Sequence, residues 1–199
     1  MKTILVFGSS VTWGAWDKEL GGWVNRLKLY FWKEYEEIDV YNLGISGENT
    51  KCLAERLETE ISARNEGELI LIFSVGDNDS AKDSSVGVEL EDFKKNIEQI
   101  IKISKKFTRY IIFLGTKRVD ESKTNPVPWD KTVYYKNKNL EDYSYEIESF
   151  CKEKKIRFLP LVGLLKKEDF EDGIHPNSRG HEKVFQEVKD FLEGNHLLK

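Results

Sequence analysis

Short, continuous apolar segments separated by longer amphipathic ones constrain the fold of this chain more than any other feature of its sequence. The apolar segments are rich in β-branched and aromatic residues, and most do not alternate with polar ones. Continuous runs of this kind are typical of strands that are buried on both faces. We predict strands at Thr3–Phe7, Asp39–Asn42, Leu69–Val75, Tyr110–Gly115 and Ile156–Val162.

The amphipathic segments between these runs each carry one apolar stripe at helical spacing. We predict helices at Gly22–Tyr35, Thr50–Arg64, Leu90–Ser104, Asn139–Lys155 and Ser178–Leu192. Strands that alternate with helices indicate βαβ units joined by right-handed crossovers. The expected fold class is therefore α/β, with a parallel sheet that is covered by helices on both sides.

Length and charge restrict the class of protein. The chain has 199 residues, which suits one domain spanning 1–199, and 39% of them are hydrophobic, enough for a sizeable core. A formal net charge of −4 argues against a nucleic-acid partner, because phosphate backbones are bound through clustered positive charge. No apolar run approaches the roughly 20 residues that span a bilayer.

The cysteines and the first residues bear on the cellular compartment. Cys52 and Cys151 form no CxxC pair and fall in predicted helices, so we expect ordinary packing rather than a disulfide framework or a zinc site. The apolar stretch after Met1 is shorter than the roughly 7–15 residues of a signal-peptide core. We interpret it as the first strand and expect a reducing, cytoplasmic location.

Glycine-rich polar segments follow four of the predicted strands. In open parallel sheets the ligand binds in a crevice beyond the carboxyl ends of the strands. The segments in question are Gly8–Gly14, Asn42–Thr50, Gly76–Ser80 and Asp172–Asn177. We therefore expect all four to meet at one edge of the sheet.

These segments contain the groups that nucleophilic hydrolysis requires. A serine becomes a useful nucleophile when a histidine takes its proton and a carboxylate orients that histidine. Ser10 can act as the nucleophile, His175 as the base and Asp172, three residues earlier, as the orienting acid. The oxyanion that forms needs hydrogen-bond donors. The backbone N–H groups of Ser10 and Gly47 and the amide of Asn78 can supply them.

The same segments resemble the conserved blocks of the SGNH hydrolase superfamily, also called GDSL-type esterases and lipases. Its Gly-Asp-Ser-x-Thr-x-Gly block is matched by Gly8–Gly14, and its Asp-x-x-His-Pro block by Asp172–Pro176. Its glycine block is matched around Gly47, and its Gly-x-Asn-Asp block by Gly76–Asp79. All four occur in the family's order with family-like spacing, so the resemblance covers nearly the whole chain.

The resemblance implies a three-layer α/β/α sandwich of flavodoxin-like layout, with about five parallel strands. It also implies ester hydrolysis through an acyl-serine intermediate, without a cofactor, by a monomer or a homodimer. Carried onto this chain, it makes Ser10 the nucleophile, His175 the general base and Asp172 the residue that holds the base. It assigns the oxyanion hole to the backbone of Ser10, to Gly47 and to Asn78.

One position departs from the family pattern, because Ser9 stands where the family has aspartate. The spacing of the block still selects Ser10 rather than Ser9 as the nucleophile. The missing carboxylate leaves a second hypothesis, a catalytically degenerate SGNH-fold protein that binds a ligand or a partner. A probe that labels reactive serines distinguishes the two.

Other residues have simpler interpretations. Asp77–Asp79 does not complete a calcium loop, because Ala81 occupies the next ligand position. No phosphate-binding glycine motif occurs either, so we predict no metal or nucleotide site. His181 is expected to pack or cap within the last helix, and His196 to be solvated.

The substrate stays open at this point among short- to medium-chain acyl esters, including carbohydrate O-acetyl esters and lysophospholipids. The absence of a large apolar insertion favours small esters over those of a true lipase. Trp13, Trp16 and Trp129 are candidates to line an acyl or sugar pocket on the substrate side, and ordinary packing is the alternative interpretation of each. Trp129 belongs to the non-periodic segment Lys117–Lys138, which we expect to project from the carboxyl edge as a functional or mobile loop.

Overall fold

A parallel β-sheet lies at the centre of the computed structural model, which describes residues 1–82 and 85–198. Its strands are β1 (Lys2–Gly8), β2 (Ile38–Gly44), β3 (Glu68–Ser74), β4 (Tyr110–Leu114) and β5 (Arg157–Leu159). They are ordered β2-β1-β3-β4-β5, and every neighbouring pair is parallel. The predicted five-stranded parallel sheet is confirmed.

Helices cover both faces of this sheet. The described residues form α1 (Ser10–Trp13), α2 (Trp23–Glu34), α3 (Thr50–Ser62), α4 (Leu90–Ser104), α5 (Glu121–Thr124), α6 (Asn137–Lys154) and α7 (Ser178–Gly194). One apolar core joins the sheet to α2 and α7, and a second core joins it to α3, α4 and α6. This is the three-layer α/β/α arrangement that the sequence predicts.

The inner strand β1, which lies between β2 and β3, contributes side chains to both cores. Ile4 and Val6 point into the core beneath α2 and α7, and Leu5 and Phe7 point into the core on the opposite face. Successive side chains of a strand alternate between faces, and here both faces are buried. The apolar run in the sequence is therefore continuous rather than alternating.

Two predicted strand ends are wrong by more than one residue, each for a physical reason. β5 ends at Leu159 rather than Val162, because Pro160 follows and has no N–H group for the ladder. β2 extends two residues beyond the predicted Asn42, to Gly44. It is an edge strand with an exposed outer end, so its apolar run is shorter than its hydrogen-bonded length.

The segment Lys117–Lys138 leaves the carboxyl edge and then folds back onto the molecule. The backbone of Tyr134 exchanges hydrogen bonds with that of Lys82, at 3.0 and 3.3 Å. A small apolar cluster packs beneath the segment and includes Ala81, Val119, Val127, Tyr135, Leu140 and Ile174. The segment thus has a buried side of its own, which its lack of periodicity does not reveal.

The two cysteines have different environments. Cys151 is buried in α6, whereas Cys52 is exposed on α3. The expectation that both thiols pack is wrong for Cys52, because Leu53 and Leu57 form the buried stripe of α3 and position 52 is turned away from it. Within residues 1–82 and 85–198, no helix is both long and apolar enough to cross a membrane.

A buried ion pair organises the turn between α1 and α2. Arg26 donates to both carboxylate oxygens of Asp17, at 2.9 and 3.1 Å, and the side chains are 6% and 0% exposed. Burial alone would raise the pKa of Asp17. The hydrogen bonds from Arg26 and from the N–H of Gly22 outweigh burial and place that pKa well below its usual range.

Replacing Arg26 with alanine is expected to lower the free energy of unfolding by about 3–5 kcal/mol, because Asp17 would keep a buried charge without its partner. A carboxylate with a depressed pKa contributes stability above its unfolded pKa, and that contribution is lost as the pH falls. The difference between Arg26→Ala and wild type should therefore shrink in acid. Urea denaturation at neutral pH and at about pH 3, which is below the unfolded pKa of roughly 3.9, measures both effects.

Glu19→Ala is the matched control for this prediction. Glu19 lies 3.6 Å from the same guanidinium, but 71% of its side chain is exposed. An exposed pair of this kind contributes less than about 1 kcal/mol. Equal losses in Arg26→Ala and Glu19→Ala would contradict the assignment of the stability to the buried pair.

Candidate active site

Ser10, His175 and Asp172 meet at the carboxyl edge of the sheet. Ser10 begins α1 immediately beyond β1, and its Oγ lies 2.9 Å from Nε2 of His175. On the other side of the ring, Nδ1 lies 2.7 Å from Oδ2 of Asp172. The three side chains form one continuous chain of hydrogen bonds, although 165 positions separate Ser10 from His175.

Asp172 is held by donors from its own turn and from a distant tryptophan. Its Oδ1 accepts the backbone N–H groups of Ile174 and His175, at 3.0 and 2.9 Å. Its Oδ2 accepts the indole N–H of Trp16 at 3.0 Å in addition to the imidazole. Burial alone would raise the pKa of Asp172, but the bonds from His175 and the backbone outweigh it and lower the pKa to about 2.

The charge on Asp172 determines which nitrogen of His175 carries a proton. An ionised carboxylate only accepts hydrogen bonds, so Nδ1 must be the protonated nitrogen. Nε2 is then left with its lone pair toward the hydroxyl of Ser10. The side chains of Asp172 and His175 are each 16% exposed, so this pair is largely shielded from water. This arrangement can remove a proton from the serine.

Close packing beneath Ser10 explains the glycine of the first block. A Cβ atom on Gly8 would lie 2.2 Å from Oγ1 of Thr12 and 2.5 Å from the carbonyl oxygen of Ser74. Distances this short exclude any side chain at position 8. The backbone therefore turns from β1 into α1 at a point where only glycine fits.

Ser9, the residue that departs from the family block, is also buried, with 8% of its surface exposed. Its carbonyl oxygen accepts the N–H of Trp13 at 2.9 Å, and so supports the single turn of α1. Of the two adjacent serines, Ser10 is the one that bonds to His175. The geometry therefore favours the same serine as the spacing of the motif.

The loop between β2 and α3 carries Gly47, which has a φ of 80°, a conformation that favours glycine. The next residue, Glu48, receives two hydrogen bonds from the guanidinium of Arg56. Arg56 also donates to the carbonyl oxygen of Leu43, at 2.6 Å. Bidentate pairs of this kind are among the stronger hydrogen bonds in proteins, and this one ties the loop to α3.

Asn78 lies after β3, and its carboxamide joins two loops. Nδ2 donates to the carbonyl oxygen of Glu48, next to Gly47, at 2.9 Å. Oδ1 accepts the hydroxyl hydrogen of Tyr135 at 3.0 Å. The amide nitrogen carries a second hydrogen that neither contact uses. The loops of the two predicted oxyanion residues, Gly47 and Asn78, are therefore in direct contact.

The three tryptophans predicted on the substrate side surround His175. An open groove of about 770 Å³ is lined by residues 13–18, Gly21, Ser46 and His175. Trp13 and Trp16 on its wall are 60% and 49% exposed. Trp129 is 57% exposed, and its ring centroid lies 5.9 Å from the ring centroid of His175.

His181 lies outside the chain of hydrogen bonds that joins Ser10, His175 and Asp172. It is fully buried, and its Nδ1 accepts the N–H of Trp23 at 3.2 Å. Nε2 must then carry the proton, which it donates to the carbonyl oxygen of Ala15 at 2.9 Å. Burial lowers the pKa of His181, so the ring stays neutral. The predicted packing role fits this position, and His196 is exposed as expected.

The acidic residues after β3 are engaged by neighbours from other segments. Asp77 forms an ion pair with the buried amine of Lys117. Asp79 accepts the backbone N–H of Thr50 at 2.9 Å and also its hydroxyl, while burial raises the pKa of Asp79 to about 6. Across the part of the chain that the structure describes, no three His, Cys, Asp or Glu side chains group as a metal ion would require.

Some contacts at the site have no counterpart in the sequence prediction. Arg56 and Tyr135 are absent from the predicted site, and Trp16 is predicted beside the substrate rather than as a donor to Asp172. Tyr135 lies in a segment without periodicity, where no pattern indicates which side chains are buried. Neither motif spacing nor residue type could identify its partner.

Solved structures of similar fold include esterases. The chain matches an acetylxylan esterase from Geobacillus stearothermophilus with a TM-score of 0.75 and 18% identity, covering 96% of this chain and 92% of that one. It matches an alpha/beta hydrolase enzyme from the metagenome of Lake Arreo, Spain, with a TM-score of 0.74 and 17% identity, covering 99% and 96%. These likenesses confirm the fold.

Sequence comparison also identifies ester hydrolases as similar proteins. The chain is 24% identical over 208 residues to the isoamyl acetate-hydrolyzing esterase of Saccharomyces cerevisiae, covering 95% of this chain and 85% of that protein. Residues 6–183 match the model of the GDSL-like lipase/acylhydrolase family. The resemblance seen in the four sequence blocks is confirmed. Because the family match spans most of the chain, the protein belongs to the GDSL-like lipase/acylhydrolase family and is a carboxylic ester hydrolase of the GDSL/SGNH type.

Proposed function

We propose that the protein is a serine esterase that cleaves short-chain acyl esters, with acetate as the preferred acyl group. The observation that carries this proposal is the chain of hydrogen bonds from Ser10 through His175 to Asp172. The names of two relatives support the choice of acyl group, since isoamyl acetate and acetylxylan are both acetate esters.

The first half of the reaction forms an acyl-enzyme. Nε2 of His175 takes the proton of Ser10 while Oγ attacks the carbonyl carbon of the ester. Asp172, ionised and bonded to Nδ1, stabilises the imidazolium that results. The tetrahedral intermediate then expels the alcohol oxygen, which receives the proton from Nε2. The alcohol leaves, and the acyl group stays on Ser10.

Hydrogen-bond donors stabilise the negative charge that develops on the carbonyl oxygen. We assign this role to the backbone N–H of Ser10, the backbone N–H of Gly47 and the unused hydrogen on Nδ2 of Asn78. Donors held in place before the reaction stabilise the oxyanion without reorganisation, and each contributes about 10²–10³ in rate. The contact between Asn78 and Glu48 supports the assignment, because it holds the two loops together.

The second half releases the acid. Water takes the place of the departed alcohol and gives a proton to Nε2 of His175 as its oxygen attacks the acyl carbon. Collapse of this second intermediate returns the proton to Oγ of Ser10 and frees the carboxylic acid. Every proton transfer passes through the same imidazole nitrogen, so the cycle needs no further group to move a proton.

Exposed aromatic side chains favour an acetylated carbohydrate as the ester. Trp13, Trp16 and Trp129 present large apolar surfaces around His175 rather than a closed acyl tunnel. Exposed apolar surface beside a reactive centre is typical of a ligand site, and a flat sugar ring suits a flat indole face. A small aliphatic acetate is the second candidate, which the yeast relative favours.

Ser10→Ala is expected to lower kcat/KM for p-nitrophenyl acetate by about 10³-fold or more, because the attacking oxygen is removed. Ser9→Ala is the matched control. Its kcat/KM should stay within about tenfold of that of wild type, since the variant keeps the hydrogen bonds that join Ser10, His175 and Asp172. The acetate should be cleaved faster than the butyrate and the octanoate. Wild-type protein that cleaves none of them and resists a fluorophosphonate probe would show a non-catalytic binding protein instead.

Asp172→Asn is expected to lower kcat by about 10⁴-fold, because an amide can hold the imidazole in the wrong tautomer and cannot stabilise its positive charge. In wild type the pKa of Asp172 is about 2, so the carboxylate stays ionised over the working range. Protonation of Asp172 should therefore produce no step in the rate across that range. Rate profiles against pH for both proteins test this, and an Asp172→Asn variant of wild-type rate would contradict it.

Trp129→Ala is expected to raise KM severalfold for acetylated xylo-oligosaccharides and to change KM for p-nitrophenyl acetate much less. The reason is that the indole would contact the sugar rather than the acetyl group. Trp32→Ala is the matched control, because Trp32 is 59% exposed but lies on α2. Equal effects of Trp129→Ala on the two substrates would favour the small aliphatic acetate.

A further inference from the structure

We propose that Tyr135 is a positioning residue for ester hydrolysis. Its hydroxyl holds the carboxamide of Asn78 in the one orientation that presents an N–H to the oxyanion. The inference rests on the proposed function, in which Asn78 supplies an oxyanion donor. It adds a residue outside the four family blocks and gives the segment Lys117–Lys138 a part in the reaction.

The contacts of Asn78 determine which way its amide points. The carbonyl oxygen of Glu48 can only accept a hydrogen bond, so the atom that faces it must be Nδ2. The atom that faces Tyr135 is then Oδ1, and the tyrosine hydroxyl must be the donor. An amide rotated by half a turn would set two acceptors against each other at Glu48. The carbonyl oxygen of Glu48 thus selects the orientation of the amide, and the hydroxyl of Tyr135 stabilises that orientation by donating to Oδ1.

Tyr135 is itself held by hydrogen bonds at both its backbone N–H and its backbone carbonyl oxygen. Its backbone N–H donates to the carbonyl oxygen of Thr124 at 3.0 Å, and the hydroxyl of Thr124 donates to the carbonyl oxygen of Tyr135 at 3.0 Å. Thr124 is fully buried and Tyr135 is 6% exposed. The phenol ring is packed in the apolar cluster beneath its segment, so it acts on the substrate through Asn78 and not by contact.

The phenol remains a donor throughout the range in which an esterase works. Burial raises the pKa of Tyr135, and the carboxylates of Asp77 and Asp79 raise it further. The hydroxyl therefore keeps its hydrogen at neutral and mildly alkaline pH. A neutral donor on Oδ1 also polarises the amide, which strengthens the N–H bonds on the same group.

Loss of the hydroxyl should act on the transition state more than on substrate binding. Without it, Oδ1 of Asn78 would be a buried acceptor with no partner, and the amide could tilt away from the oxyanion. The oxyanion carries full negative charge only in the transition state and the tetrahedral intermediates. A misaligned donor therefore lowers kcat and leaves KM nearly unchanged.

Tyr135→Phe tests the inference because it removes one oxygen atom and keeps the shape of the ring. We expect kcat for p-nitrophenyl acetate to fall about tenfold with KM within about twofold, less than the 10²–10³ of a lost direct donor. Asn78→Ala should show that larger loss. The double variant Tyr135→Phe with Asn78→Ala should be no slower than Asn78→Ala alone, because the tyrosine acts through the amide.

Tyr143→Phe is the matched control. Tyr143 is also buried and also donates from its hydroxyl to a carbonyl oxygen, that of Val88. The kcat of Tyr143→Phe should stay near that of wild type. Its melting temperature should fall by an amount similar to the fall in Tyr135→Phe. Thr124→Val provides a second perturbation of Tyr135, should Tyr135→Phe not fold. It should give a smaller loss of kcat that again disappears in the Asn78→Ala background.

Three results would overturn the inference. Wild-type protein that cleaves no ester overturns the proposed function and this inference with it. Active wild type whose kcat is unchanged by Tyr135→Phe, or by Thr124→Val where that variant is used, overturns this inference alone. Losses that multiply in the double variant show that Tyr135 acts independently of Asn78, and also overturn it.

Discussion

The parallel pairing of β1 with β2 on one side and β3 on the other determines where the proposed nucleophile and the proposed oxyanion donors lie. The register places Gly8 opposite both Gly44 and Ser74, so the loops that follow these strands leave the sheet at the same height. The backbone hydrogen bonds of the sheet thereby bring Ser10, the loop of Gly47 and Asn78 to the same edge. A shift of one residue would turn the side chains of a strand to the opposite face and disrupt both cores.

Side-chain hydrogen bonds then give this edge its geometry. Arg56 donates to the carboxylate of Glu48, and the carbonyl oxygen of Glu48 accepts from Nδ2 of Asn78. The hydroxyl of Tyr135 donates to the oxygen of the same amide. On the opposite side, Trp16 and two backbone N–H groups hold Asp172, which orients the imidazole. Networks of this kind are rigid because rotation of one member leaves a buried polar atom without a partner.

Sequence patterns predicted the parts of the molecule that repeat or obey local rules. The apolar period placed α4 at Leu90–Ser104 without error, because one face of that helix is buried along its whole length. The triad residues could be named because they follow strands whose carboxyl ends must coincide, although their catalytic roles stay predictions. The partner of Tyr135 could not be predicted, since Asn78 is 57 positions away and only tertiary packing brings them together.

The order of the site residues along the chain separates the proposed nucleophile from its proposed base in the time of synthesis as well as in sequence. Ser10 follows the first strand, whereas His175 follows the last, just before α7. α7 reaches back to the start of the chain, where Glu182 bonds to Arg26 at 2.7 Å and His181 bonds to the carbonyl oxygen of Ala15. Synthesis makes the N-terminal residues first, whereas a domain generally folds as a unit. In the proposed mechanism, a copy in which the segment after β5 is not yet in place therefore carries Ser10 without its base and cannot hydrolyse an ester.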